Sequence, residues 1–381
     1  MSTVFRFTNG LEGALADMGL PVSRVLFVAR EVGDDSMGHS VLRLARELRR
    51  RGKEVEIACG GGALAAEFEG IGARPHVVRG LADDGVPFRA PHALAARMRE
   101  FSPDLVHAFG RPLAGWAERV SAVTQCPYVL TVMTFAPGGR RERLRGDWER
   151  GSIVAVSEEL REELVNHDKI RKRAIGVIPI GIALEDYERY ATPPGEAPTP
   201  VVGMVGPLTP ESGCEYFVRA AREIVDRGVD AHFLIAGDGP ERGRLRRLIG
   251  ELRFEKWVTT VEDFKDYRRM IAVLDVCVIP AVQEGLSLNV IEAMACRKPV
   301  VATGVGPVCS VVRDGETGFL APKKDVAAIA DKVIQLIHDP ELVRRVVDAA
   351  YAMVSERFSL ERSVQALLTF YSRCIARSEA S

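Results

Sequence analysis

The stretch Val276–Ala302, VCVIPAVQEGLSLNVIEAMACRKPVVA, reads as one complete structural unit. Val276–Ile279 is a short, unbroken apolar run, the pattern of a strand buried on both faces of a parallel sheet. Pro280 ends it, and Glu284-Gly285 follows in a loop. Leu288–Ala295 forms a short helix carrying Glu292, and Lys298-Pro299 leads into a second buried strand, Val300–Ala302. Strand, helix and strand in that order build a β/α fold with parallel strands.

The same alternation extends outward in both directions. Before this unit lie the strand Val201–Val205, a helix near Cys214–Asp226, the strand His232–Ala236, a helix near Arg242–Leu252 and the strand Val258–Val261. After it, Val326–Ile337 and Leu342–Val354 are amphipathic helices. Upstream, Ala191–Pro200 (ATPPGEAPTP) contains four prolines and no large apolar residue, and reads as an extended linker. Before the linker come the strands Val25–Ala29, Glu54–Ala58, Arg74–Val78, Leu105–Ala108, Tyr128–Val132, Ile153–Val156 and Ala174–Ile178. The helix Val41–Arg51 places Val41, Leu44, Ala45 and Leu48 on one face with its arginines opposite, and Gly52 ends it. The expected fold is therefore α/β, with two doubly wound Rossmann-like domains facing across a cleft. Residues 1–195 form the first domain and 196–360 the second, and 361–381 form a C-terminal helix that packs back on the first.

Composition narrows the function classes. Hydrophobic residues make up 47% and charged residues 27% of the 381, an ordinary globular mixture. Lys plus Arg is 51 and Asp plus Glu is 52, so the formal net charge of -1 argues against a nucleic-acid partner. The seven cysteines are scattered without a Cys-x-x-Cys pair, which fits reduced thiols in a cytoplasmic protein better than a disulfide framework or a zinc site. No apolar run reaches the ~20 residues of a membrane-spanning helix, and the N-terminal residues lack a signal-peptide core. Arg140, Arg141, Arg143 and Arg145 lie near Trp148 and could touch anionic lipid, but Glu142, Asp147 and Glu149 interrupt them, which favours a solvated face.

In doubly wound sheets ligands sit beyond the carboxyl ends of the strands, which is where Glu284 falls. Glu292, one turn into the helix, faces the same cavity in this reading. The backbone N–H groups at Leu288 and Asn289 are donors of the helix start, suited to phosphate, and carboxylates suit vicinal hydroxyls such as those of a sugar or a ribose. Gly237 and Gly239, after the strand HFLIA, form either a ligand-side turn or a plain tight turn. His107, ending a strand, is either a packed structural residue or a ligand contact. Gly60-Gly61-Gly62 lacks the spacing of a dinucleotide fingerprint and reads as a loop.

Glu284-x7-Glu292 within EGLSLNVIEAMACRKPVVAT resembles the nucleotide-sugar signature of retaining GT-B glycosyltransferases of family four. Gly237-Asp238-Gly239-Pro240 is similar to that family's Gly-rich turn, and Val311–Leu320 (VVRDGETGFL) to a later segment. Leu105–Ala108 and Val177–Gly181 match first-domain landmarks, so the resemblance runs from about Val25 to about Phe358. It implies sugar transfer from a nucleotide-diphosphate sugar to an acceptor hydroxyl, with retained configuration, no metal and no other cofactor. Glu284 would act on the transferred sugar as the catalytic residue. Glu292, Gly285, Leu288, Asn289, Gly206, Gly237 and Gly239 would bind the donor, and His107 and Arg111 would lie on the acceptor side. The acceptor would be a small molecule or a glycan or lipid-linked hydroxyl, with peripheral membrane contact as a further expectation.

The chain also departs from the family's pattern. Pro207 and Ser212 stand where an Arg and a Lys usually neutralise the leaving diphosphate, Met133 where a His is usual, and Ser310 where an acidic residue is usual. Arg30, Arg111 and Arg297 are candidate replacement cations. These departures motivate two alternatives: a member of the fold that binds a nucleotide sugar or a partner without transfer, and a transferase or phosphorylase-like enzyme with an unusual donor.

Overall fold

A computed structural model describes residues 22–33, 36–78, 80–81, 94, 96, 98, 100–134, 143–191, 199–262, 266–283 and 288–379. Its first half contains β1 (Arg24–Val28), α1 (Ser36–Arg50), β2 (Glu54–Cys59), α2 (Ala65–Gly70), β3 (Arg74–Val77), β4 (Leu105–Phe109), α3 (Ala114–Thr124), β5 (Tyr128–Val132), β6 (Gly151–Ala155), α4 (Glu158–Asn166), β7 (Ile175–Val177) and α5 (Glu185–Glu188). The second half contains β8 (Val201–Val205), α6 (Cys214–Asp226), β9 (His232–Ala236), α7 (Arg242–Glu251), β10 (Val258–Val261), α8 (Tyr267–Ala272), β11 (Val276–Ile279), α9 (Leu288–Ala295), β12 (Val300–Thr303), β13 (Phe319–Ala321), α10 (Val326–His338), α11 (Pro340–Arg357) and α12 (Leu360–Glu379).

Two parallel sheets result, with strand orders β3-β2-β1-β4-β5-β6-β7 and β10-β9-β8-β11-β12-β13. The order reverses beside β1 in the first sheet and beside β8 in the second, and such switch points open a crevice at the strands' carboxyl ends. The central strands are buried along their length because each face is covered by helices, which is why they read as continuous apolar runs. Most of the linker, 192–198, lies outside the described residues, as do Arg140 and Arg141 of the basic run. The Gly60–Gly62 loop pairs with the backbone that leaves β1: Gly60 N donates to Arg30 O (2.8 Å) and Val32 N to Gly61 O (2.9 Å).

The last helix crosses back to the first sheet. Ile182 N donates to Phe358 O (2.8 Å) and Leu360 N to Ile182 O (3.0 Å) where the chain returns. From there α12 buries Val364, Leu367, Tyr371 and Cys374 in the core formed by Phe27, Val129 and Val154. Another apolar core joins Leu26 and Leu130 of the first sheet to Leu288, Val290 and Ile279 of the second half. That continuity corrects one expectation for α1. Leu42 and Arg43 are buried while Leu44 is only half-buried, because the second half covers a flank of the helix that would otherwise face water. All seven cysteines are free, with only Cys309 exposed. Among the described residues no helix is long and apolar enough to cross a membrane.

Candidate functional site

The loops after β8 and β9 and the first turn of α9 converge on one spot. Gly206 N donates to Ala236 O and Gly237 N to Val261 O, both at 2.9 Å, so each glycine extends its strand's ladder by one residue. A Cβ on Gly237 would lie 1.9 Å from Gly206 O, and one on Gly239 (φ +155°) would lie 2.4 Å from Leu208 O. Only glycine permits this backbone-to-backbone approach. Leu208 N donates to Asp238 O (2.9 Å) and Glu241 N to Leu208 O (3.0 Å), which ties the two loops together. Asn289 Nδ2 donates to Val205 O (2.6 Å) and anchors the start of α9 to the end of β8. Gly206, Gly237, Gly239, Leu288 and Asn289 are thus brought together at the switch point of the second sheet. Glu284 and Gly285, which precede α9, lie outside the described residues.

The loop holding the two departures from the family's pattern is closed on itself. Ser212 Oγ donates to Pro207 O (2.6 Å) and lies 3.1 Å from Thr209 Oγ1. Val282 N donates to Glu211 O (2.8 Å), so the loop packs beside the end of β11. Near the end of β12, Ser310 Oγ donates to Pro307 O (2.8 Å), and Arg357 Nη1 donates to Ser310 O (2.9 Å). Of the candidate cations, Arg297 turns away at the end of α9. It donates to Asp348 Oδ1 (3.0 Å) and stacks 3.9 Å over the Tyr351 ring. Arg30 is exposed just beyond β1.

Glu292 has no solvent exposure. Its Oε1 accepts from Tyr187 Oη (2.7 Å) and Tyr267 Oη (2.5 Å), and Arg43 Nη2 lies at 3.4 Å. Arg43 Nη1 donates to Tyr187 Oη (2.6 Å). The carboxylate therefore sits inside a seam between α1 and α5 on one side and α8 and α9 on the other, not on the wall of an open gap. Burial disfavours the Arg43 charge, but Tyr187, Tyr267 and Glu292 together hold its pKa above the ordinary value. Burial and the Glu292 charge push both tyrosines up. Arg43, Tyr187 and Tyr267 were not anticipated from sequence.

On the first sheet, His107 is buried. Its Nδ1 lies 2.5 Å from Tyr371 Oη and its Nε2 2.6 Å from Thr131 Oγ1. Burial pushes its pKa down to about 3, so the imidazole is neutral, one nitrogen donating and the other accepting. Beside it lies a mostly apolar cavity of about 60 Å³ whose lining includes Met133, Ile180, Ser363 and Leu367. Arg111, just past β4, donates to Thr134 O (3.2 Å) and pairs with Glu163 (3.4 Å) and Asp168 (3.0 Å). Glu163, His167 and Asp168 form the ligand-type group found among the described residues, and the Arg111 guanidinium pairs with both of its carboxylates.

Comparison with known proteins places this geometry. A family model described as "Glycosyltransferase Family 4" matches residues 37–186, and one described as "Glycosyl transferases group 1" matches residues 199–339. The chain is 30% identical over 334 residues to the alpha-D-kanosaminyltransferase of Streptomyces kanamyceticus, covering 87% of this chain and 80% of that one. It is 29% identical over 391 residues to the D-inositol 3-phosphate glycosyltransferase of Nocardia farcinica, covering 88% and 84%. Among solved structures, Anabaena HepE in complex with UDP and glucose matches with a TM-score of 0.77 at 18% identity, over 91% of this chain and 98% of that one. Likeness at that identity establishes the fold, two Rossmann-like domains in the GT-B arrangement.

Proposed function

The chain belongs to the GT-B glycosyltransferases, and from that premise we propose that it moves a sugar from a nucleotide-diphosphate donor to a hydroxyl of a small polyol acceptor, with retained configuration and without a metal. The observation that carries this reading is the convergence of Gly206, Gly237, Gly239 and the Asn289-anchored start of α9. The glycines let the loops after β8 and β9 pack backbone on backbone beside the start of α9, where a diphosphate would approach. The helix start supplies N–H donors and the positive end of its dipole.

Charge develops on the diphosphate oxygen as its bond to the anomeric carbon breaks. The acceptor oxygen bonds to that carbon on the face the diphosphate leaves, and its proton passes to the departing diphosphate oxygen. Glu284 contacts hydroxyls of the transferred sugar; Glu292, expected to hold the ribose, is instead closed from solvent and held by Tyr187, Tyr267 and Arg43. With Pro207 and Ser212 in the loop after β8, the helix start bears most of the neutralisation. A charged hydrogen bond contributes on the order of 1.5–3 kcal/mol. The absence of two would slow the chemical step by roughly 10²–10⁴-fold relative to a site that has both. The acceptor lies on the first-sheet side of the cleft, and the inositol phosphate in one relative's name supports a compact polyol.

The test is a transfer assay on the purified enzyme across several nucleotide sugars and polyol acceptors, with product detected by mass, and with Gly237→Ala and Asn289→Ala as controls. Turnover that both variants lower supports the reading. Nucleotide binding without turnover for any pair would favour the competing reading, a member that binds donor without transfer, which the self-bonded Pro207–Ser212 loop motivates.

A further inference from the structure

The cavity beside His107 lies at the carboxyl edge of the first sheet, between the sheet and the helices α1 and α12. Phe109 at the end of β4, Ile180 past β7 and Met37 in the first turn of α1 are half-buried and form its outer wall. Val364 and Leu367, both buried, line it from α12. Met133, just past β5, adds a flexible thioether that can adapt to the shape of a guest. Ligands of such sheets bind beyond the carboxyl ends of the strands, so the cavity adjoins the side of the cleft assigned above to the acceptor.

The polar side chains of the wall are engaged within the protein. Ser40 Oγ accepts from Arg43 Nη2 (3.2 Å), and Ser363 Oγ donates to Pro179 O (2.7 Å). His107 Nε2 and Thr131 Oγ1 bond to each other, and His107 Nδ1 bonds to Tyr371 Oη. A confined water needs two to four polar partners, and a wall that spends its hydrogen bonds on its own chain holds water poorly. An apolar group that displaces such water gains affinity. We propose that this cavity is a specificity subsite: the acceptor polyol carries an alkyl substituent, which enters between Met133 and α12 while the hydroxyl that is glycosylated stays in the cleft. A volume of about 60 Å³ has room for roughly four to six water-sized groups, so the substituent has about four to six carbons. The inference rests on the reading that the acceptor binds on the first-sheet side.

The experiment measures the calorimetric affinity of the full chain for alkyl glucosides from methyl to decyl, each below its micelle concentration. Affinity is expected to rise roughly 3- to 4-fold per methylene, on the order of 10²-fold from methyl to pentyl, and to level off beyond about hexyl. Met133→Ala enlarges the cavity and is expected to move the levelling point about two carbons further. Leu44→Trp, from a half-buried position on the α1 wall, is expected to fill the cavity and flatten the series. If one variant fails to fold the other carries the comparison, and the series on the unmodified protein needs neither. Undetectable affinity throughout, or less than a twofold change from methyl to hexyl, overturns the subsite. So does a series that the folded variants leave unchanged. So does a rise that continues unbroken through decyl, because it describes a surface for a lipid chain and not a cavity of this size. Transfer is scored separately from binding. Binding that depends on chain length, without turnover for any nucleotide sugar, leaves the subsite standing and fails the transfer reading. Turnover with a KM indifferent to chain length leaves transfer standing and overturns the subsite.

Discussion

His107→Gln separates a structural histidine from a catalytic one. In the native protein burial holds the pKa of His107 near 3, whereas a histidine in the unfolded chain titrates near 6.5. Between those values the unfolded state binds a proton that the native state does not. The native state therefore has its full stability above about pH 6.5, and loses about 1.4 kcal/mol for each unit the pH falls below that, down to the native pKa. At pH 5.5 the deficit from this one residue is about 1.4 kcal/mol relative to pH 7.5. Glutamine can bridge Tyr371 Oη and Thr131 Oγ1 with one donor and one acceptor, but it does not titrate. Urea unfolding at pH 7.5 and 5.5 is expected to show the unmodified enzyme losing about 1.4 kcal/mol more than the variant over that interval. Other titrating groups contribute equally to both proteins. The pH profile of kcat/KM is expected to keep its shape between pH 5.5 and 8. An identical stability slope in the two proteins, or the loss of a kinetic ionisation near neutrality in the variant, would refute the structural assignment.

The remaining predictions concern the donor side. Gly237→Ala drives a methyl group into Gly206 O and requires the loops to separate by about 1 Å. It is expected to destabilise the protein by about 1–3 kcal/mol and to lower kcat/KM on the order of 10²-fold, checked by melting and transfer assays. Asn289→Ala removes the tether to Val205 O, and nucleotide affinity measured by calorimetry is expected to fall roughly 5- to 10-fold. Ser212→Lys returns a cation to the loop beside α9, and kcat is expected to rise on the order of tenfold. An unchanged kcat would mean the leaving diphosphate does not approach that loop.

Strand placement was largely legible because strands buried on both faces leave unbroken runs such as Val25–Ala29 and Val276–Ile279, bounded by glycine, proline or charge. β13 escaped because only Phe319, Leu320 and Ala321 form it, after a run of turn residues. The glycine cluster was legible as residues at strand ends, but not as backbone packed on backbone. The Glu292 seam was hidden because Arg43, Tyr187, Tyr267 and Glu292 are scattered along the chain, so no periodicity links them. Arg43 read as one more arginine on a solvent face, because periodicity shows which side of a helix is apolar but not whether a second domain covers the other. His107 was ambiguous for the same reason: the Tyr371 hydroxyl that engages it lies 264 residues away, on a helix that crosses between the halves. Arg297 looked adjacent to the donor helix, but its left-handed backbone (φ +55°) carries the side chain out toward Asp348 and Tyr351.

The central claim is that a diphosphate is held where the loops after β8 and β9 meet the start of α9. A crystal structure of the enzyme with its preferred nucleoside diphosphate tests it most directly. Density for the diphosphate over Leu288 and Asn289, walled by Gly206, Gly237 and Gly239, is the predicted result. Nucleotide density against the first sheet, with the space beside α9 still filled by protein, would contradict it.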